Sequence, residues 1–206
     1  MGRKISTADL RQVHDEHKIW LSSVGEAGRC ADLSETKLSG MKLLRTNLSK
    51  ANLSGADLSS ANLMGVIMKG TNLSGANMRG VFLLHGADLT GADMSETDLY
   101  KSNLTKSEMS NVKLIKSYLY KACLKGVNLS NADLSDADLS KAKLKKSKLS
   151  GTNLQNAILR STDLKGVIGL TIEQLSVVKT LYKSKLDSEL MEQVKEKHPH
   201  LLEKPK

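Results

Sequence analysis

Few residues in this chain are spaced for chemistry. His14 and His17 stand three apart in HDEH, and on a helix two imidazoles at that spacing could share a metal ion. No third ligand accompanies them, and His17 shares an apolar stripe with Trp20, so packing is the preferred role. Cys123 is one of two cysteines. Nearby lysines would lower the pKa of its thiol, but no histidine stands beside it to serve as a base. Asp93 and Asp133 occupy a recurring Asn/Asp position that suits local hydrogen bonding to the backbone rather than acid–base work. The chain has no phosphate-binding glycine loop, no dinucleotide fingerprint and no CxxC pair. The expectation is a protein that is not an enzyme and has neither cofactor nor metal. The remaining chemical signal is charge: the formal net charge is +9, and KAKLKKSKLS at 141–150 is its densest expression.

The elements that carry these residues follow from a period of five. In ANLSGADLSSANLMG, residues 51–65, a small residue, then Asn or Asp, then Leu recurs every five positions. On a helix such leucines would scatter around the axis, and on a flat strand they would alternate faces. One buried stripe results only if the chain turns once per repeat. The central residue is Leu or Met in 27 repeats, from Leu33 to Leu83 and, after one extra residue at 84–86, from Leu89 to Leu164. Two residues before each centre stands a small or medium side chain, with Met41 as the large exception. Residues two apart on an extended segment point the same way, so both positions face inward. The other three face water or form the bend, where Gly and Asn fit. With one Phe and one Trp in the chain, the core is built from Leu and smaller residues, and stacking of repeats makes it continuous.

The A(D/N)Lxx pattern, as in ANLSG, ADLSS and ADLSD, resembles the pentapeptide-repeat family over residues 31–166. The resemblance implies an all-β solenoid, a right-handed quadrilateral β-helix with four repeats per coil. Nearly seven coils, stacked at the strand spacing, would make a tube on the order of 30 Å long. The Qnr and MfpA groups of this family protect DNA gyrase from quinolones by imitating the shape and negative charge of duplex DNA. The resemblance therefore offers that role as an alternative function, although this rod is net positive and lacks long projecting loops.

With four repeats per coil, residues 20 apart stack. One outward row reads Leu44, Met64, Leu84, then Thr105, Lys125, Lys145 and Lys165, apolar at first and basic at the end. The bend before that face stacks Lys101, Lys121 and Lys141, with Lys106, Lys143 and Lys146 close by and Tyr100 and Tyr120 one coil apart beside them. Residues 31–100 carry 6 basic and 7 acidic side chains, whereas residues 101–166 carry 13 and 5. Stacked like charges oppose folding; a solvated surface that resists aggregation is one account of them, and a docking patch is the functional reading. An acidic protein is the expected partner; nucleic acid or an anionic membrane surface would also suit the charge.

An open solenoid end needs covering, and both flanks supply α-helical caps. In residues 1–30, Leu10, Val13, His17, Trp20 and Val24 recur at three and four behind an N-cap at Ser6 or Thr7. In residues 167–206, Thr171 and Gln174 form a capping box, followed by a helix presenting Leu175, Val178 and Tyr182. A second helix, capped by Asp187, carries Leu190 and Val194 up to Pro199, and HLLEKPK is expected to fray. The C-terminal helices could pair two copies into a homodimer. No run of apolar residues is long enough to span a membrane, and the N-terminal stretch lacks a secretory pattern. A cytoplasmic protein with free thiols is expected.

Overall fold

Each repeat makes one short extended segment and one turn, and the turns convert the period of five into a tube. In the computed structural model, residues 2–81 and 86–205 are described. Leu83, Leu84 and His85 lie outside the described residues. In every described repeat from Leu33 to Leu164, the second residue after the centre has positive φ, as at Glu35 (53°), Gly70 (60°) and Lys121 (62°). The next inward residue closes the turn by donating its N–H to the carbonyl of the central residue, as Ala51 does to Leu48 at 3.1 Å. A left-handed third residue with this bond is the type II signature. Where Asn or Asp precedes the centre it reinforces the turn: Asn72 Oδ1 accepts from the Ser74 N–H at 3.0 Å.

Coils stack as a parallel ladder. Leu53 donates to the Asn72 carbonyl at 2.7 Å, and Asn72 donates to the Ala51 carbonyl at 3.0 Å. Bridged residues are 20 apart early in the chain (Asp32 with Asn52) and late (Cys123 with Lys143), and 21 apart across residues 82–86 (Ile67 with Asp88). Four repeats therefore make one coil, and one extra residue shifts the register at the expected place. The described centres from Leu33 to Leu164 are all buried. So are most of the small residues two before them, with Met41 half-buried at the margin of the core. Each fully buried Leu contributes about 1.5–3 kcal/mol, so the aliphatic column suffices without aromatic residues.

At the N-terminal end, α1 (Thr7–Ser22) starts at Ser6, whose hydroxyl accepts from the Asp9 N–H. Leu10 and His17 are its buried residues. Val24 does not continue the stripe: it lies past the helix with φ 55° and is 90% exposed. The chain then crosses back over α1 at Gly28, where a Cβ would run into the Glu16 carbonyl. Arg3 pairs with the edge of the first coil, donating to the Glu35 carbonyl at 2.6 Å and accepting from Lys37 at 2.8 Å.

At the C-terminal end the ladder does not stop at residue 166. Ile168 pairs with Lys148, and after an excursion Thr180 pairs with Ile158 and Lys185 with Asp163. The excursion holds α2 (Ile172–Ser176), begun by the Thr171–Gln174 capping box. The expected stripe of Leu175, Val178 and Tyr182 on one longer helix is not formed. α2 ends at Ser176, and Leu181 and Leu186, five apart, resume the solenoid register with Lys183 left-handed between them (φ 59°). Burial of both leucines outweighs helix propensity here. Asp187 precedes α3 (Ser188–Lys197) without capping it by its side chain, and accepts instead from the Gly166 N–H at 2.9 Å. The first part of the tail expected to fray is packed against the rod. Residues Pro199–Leu202 form a 3-10 turn, Leu201 is buried, and its carbonyl accepts from the Leu181 N–H at 2.7 Å. Val194 and Leu201 thus join the core of their own rod.

Candidate docking face

The basic residues gather on one side of the C-terminal coils because each repeat offers the same three outward positions. Lys101, Lys121 and Lys141 (φ 54°, 62° and 58°) hold the left-handed turn position at one corner. Lys106 and Lys146 (φ 58° and 62°) hold it at the next corner. In earlier coils glycine holds this position at 40, 55, 65, 70, 75, 80 and 91, and Glu35, Arg45, Lys50, Ser60 and Glu96 hold it in the other repeats. A side chain in the left-handed region costs roughly 1–2 kcal/mol, so lysine there does not serve the turn.

Between the two corners runs a short sheet face whose outward ladder residues are Asn103, Cys123, Lys143 and Asp163. On its far side lies a groove of about 370 Å³ lined by Thr105, Lys106, Lys125, Gly126, Lys145 and Lys146. Lys106 and Lys146 lean along the rod axis over Gly126 and Gly166, as a Cβ on either glycine would sit 3.7 and 3.6 Å from the lysine Cγ. Lys165 follows Lys145 in the same column but does not line the groove. Among the described residues, none of these lysines is within ion-pair distance of a carboxylate; the pairs that exist are Lys69–Asp88, Arg79–Asp98, Lys113–Asp93 and Lys195–Glu192.

The near corner is aromatic as well as basic. Tyr100 and Tyr120 stack on successive coils with centroids 6.0 Å apart and planes within 1°. Tyr118 joins them at 6.2 and 6.0 Å, parallel within 5°. Sequence reasoning singled out Tyr100 and Tyr120 and missed Tyr118. The signal was present: with Leu119 inward, residues 118 and 120 both point outward. Arg79 and Lys101 sit over the Tyr100 ring at 4.6 and 5.0 Å, and Lys121 and Lys141 over the Tyr120 ring at 5.2 and 5.4 Å. The ammonium of Lys141, hydrogen-bonded to Tyr120, holds that phenol below its ordinary range, aided by Lys121 and Arg160. Partial burial pushes the Tyr118 phenol up, and Asp138 and Asp98 on the same column push it further.

The other candidates resolve into structure. His17 is buried, stacks on Trp20 at 5.7 Å, and its Nδ1 accepts from the Ala31 N–H at 3.1 Å. In later coils a preceding Leu carbonyl takes that N–H, so His17 replaces the missing repeat. Burial lowers the pKa of both His14 and His17. Among the described residues, no three His, Cys, Asp or Glu side chains cluster as metal ligands. Cys30 and Cys123 are free thiols, and the Cys123 sulfur lies 3.3 Å from the Thr105 hydroxyl. Asp93 and Asp133 accept from the N–H groups of Ser95 and Ser135 at 3.0 and 2.9 Å. No helix among the described residues is long and apolar enough to cross a membrane.

The geometry can be set beside known proteins. No curated protein matches the chain. Among solved structures, HetL of the cyanobacterium Nostoc sp. strain PCC 7120, a pentapeptide repeat protein involved in heterocyst differentiation regulation, is similar with TM-score 0.59 and 27% identity. That match covers 76% of this chain and 77% of HetL. A trypsin-treated variant of QnrB1, a plasmid-mediated fluoroquinolone resistance protein, matches at TM-score 0.47 and 22% identity over 79% of this chain and 86% of its own. A pentapeptide repeat protein of the Arabidopsis thaliana thylakoid lumen matches at TM-score 0.24 and 29% identity over 63% and 68%. The sequence profile described as Pentapeptide repeats matches in 8 copies between residues 31 and 168. With the five-residue ladder and the aliphatic column, that match shows that the chain belongs to the pentapeptide-repeat family.

Proposed function

We propose that the protein is a non-catalytic interaction rod whose C-terminal coils dock an acidic partner. In this reading residues 31–166 form the right-handed repeat rod of the family, and residues 1–30 and 167–206 cap its ends. The observation that carries it is the lysine face: Lys101, Lys121 and Lys141 at one corner, Lys143 between, and Lys106, Lys125, Lys145 and Lys146 at the other, none of them in an ion pair among the described residues. Lysine at left-handed turns and like charges on successive coils both oppose stability. A surface kept against two such costs is best explained by what it binds. The alternative of a rod that imitates DNA needs a negative surface, and residues 101–166 carry 13 basic and 5 acidic side chains.

The test is reversal of Lys121, Lys125, Lys141 and Lys145 to Glu, followed by affinity capture and mass spectrometry beside the unaltered protein. Loss of an acidic partner from the variant is expected. Identical partner sets before and after reversal would refute the docking face.

A further inference from the structure

The docking reading leaves the partner's chemistry open, and the placement of the exposed aliphatic side chains narrows it. We propose that the rod lies lengthwise on an anionic membrane surface. Aliphatic side chains of the early coils enter the headgroup region, and lysines of the late coils meet the anionic headgroups. The proposal rests on the docking reading for its charge and names the partner.

Two outward columns run side by side along one edge of the rod. The first is the turn column that ends at the lysine groove. It begins with Leu44 and Met64, where the Arg45 N–H donates to the Met64 carbonyl at 3.0 Å. It goes on through Thr105, Lys125 and Lys145 to Lys165, joined in the same way by Lys106, Gly126 and Lys146. The second is the sheet ladder just past that turn. It runs from Asn47 and Ile67 through Asp88 and Glu108 to Lys148 and Ile168.

Among the described residues, the exposed large apolar side chains of the repeats are Leu44, Met64, Ile67, Tyr118 and Ile168, at 37% to 57%. All but Tyr118 lie on this edge. Lys106, Lys125, Lys145, Lys146, Lys148 and Lys165 are exposed along its later half, none of them in an ion pair among the described residues. The carboxylates on or beside the edge are Asp88, Glu108, Asp163 and Asp187. Asp88 pairs with Lys69 at 3.0 Å, and Asp163 and Asp187 accept from the Lys165 and Gly166 N–H groups at 3.2 and 2.9 Å. The late half remains basic, and the early half is aliphatic.

A lipid surface uses both halves, and the other partners do not. A second copy aligned in parallel would set lysine against lysine, and an antiparallel one would set Leu44 and Met64 against lysines. An acidic peptide or a nucleic acid would engage the lysines and leave the aliphatic half in water. Folded proteins dock through a desolvated apolar centre ringed by polar groups, whereas here the apolar and basic groups occupy opposite ends of one line. An anionic leaflet offers both chemistries over its whole plane. Aliphatic side chains sink to the boundary of headgroups and acyl chains, and each lysine near the surface adds its own attraction. Stacked coils hold the line from Leu44 to Lys165 over about 30 Å at the strand spacing.

The experiment is co-sedimentation of the full chain with vesicles of phosphatidylcholine, alone or with about 30% phosphatidylserine, beside anisotropy with labelled polyglutamate and a labelled DNA duplex. Binding to the phosphatidylserine vesicles is expected, about tenfold or more tighter than to the other three, and weaker at high salt. Lys125→Gln with Lys145→Gln should weaken it about 25-fold, at about fivefold per lysine. Leu44→Ser with Met64→Ser should weaken it about tenfold and leave polyglutamate binding unchanged. Melting curves check that the variants fold. Ile168→Ser, at the far end of the edge, makes the same test should the early-coil variant not fold. Vesicle binding unchanged in a folded aliphatic variant overturns the proposal. So does phosphatidylcholine, polyglutamate or duplex bound as tightly as the phosphatidylserine vesicles. If polyglutamate or duplex binds and the vesicles do not, the docking reading stands and the membrane partner falls. If no anion binds at low salt, both fall.

Discussion

At the scale of single residues, the rod is decided by which side chain occupies a fixed geometry. His17 must be neutral, because its Nδ1 accepts from the Ala31 N–H. Burial, with His14 alongside, lowers its pKa, and burial lowers that of His14 as well. The unfolded chain therefore takes up these protons first as pH falls below about 6.5, and stability is lost from there downward. Thermal melts should show a lower Tm at about pH 5 than at pH 7. His17→Phe should lower Tm at neutral pH, since an unpartnered buried N–H costs about 1–3 kcal/mol, and should leave a shallower pH dependence, due to His14. A melting temperature indifferent to pH in both proteins would contradict this account. Lys146 tests the turn. It holds a left-handed φ of 62° at a cost of roughly 1–2 kcal/mol, against roughly 0.5–1 kcal/mol of chain entropy for glycine. Lys146→Gly should melt at the same temperature or slightly higher, and a drop of several degrees would mean that Lys146 holds the fold together.

At the scale of elements, each coil contacts only its neighbours, so the ends are separate stability problems. Gln174 on α2 closes one of them: its Nε2 donates to the carbonyls of Leu149 at 2.9 Å and Thr152 at 2.8 Å. These carbonyls lie where no further coil follows on that face. Gln174→Ala removes both bonds, and with them the capping-box bond from the Thr171 N–H, and should cost about 1–3 kcal/mol. Amide exchange read by mass spectrometry should speed up around residues 149–175 and remain unchanged in the coils near Leu53. Uniform loss of protection along the rod would contradict end-by-end stability. The C-terminal elements also show where reading by local pattern fails. Thr171 and Gln174 announce a helix, and a helix forms, but Leu181 and Leu186 five residues apart announce the solenoid, and beyond Ser176 the solenoid prevails. A Leu buried on a coil contributes more than a turn of helix in isolation.

At the scale of the whole molecule, charge is graded along the rod. Ammonium groups stacked roughly 5 Å apart repel by up to about 1 kcal/mol per pair in water, and salt screens them. Raising sodium chloride from about 0.05 to about 0.5 M should therefore raise Tm, and Lys125→Gln with Lys145→Gln should reduce that gain. A salt response identical in the variant would show that the lysine columns do not strain the rod. Much of this molecule was legible in the sequence. The run from Leu33 to Leu164 determined by itself the inward column, the turn positions and the single extra residue, because the information repeats locally and every repeat obeys the same hydrophobic and turn constraints; the stacking interval of four repeats came from the family resemblance. The lysine columns were legible once the resemblance supplied that interval, since they are letters 20 apart in the sequence. Only the tertiary structure decided the rest. It placed three tyrosine rings in one parallel cluster and put cations over two of them. It turned Lys106, Lys125, Lys145 and Lys146 into one groove, put His17 in place of an absent repeat, and carried the ladder on to Lys185. These outcomes depend on how side chains from separate coils and ends meet in space, and no five-residue pattern encodes such meetings.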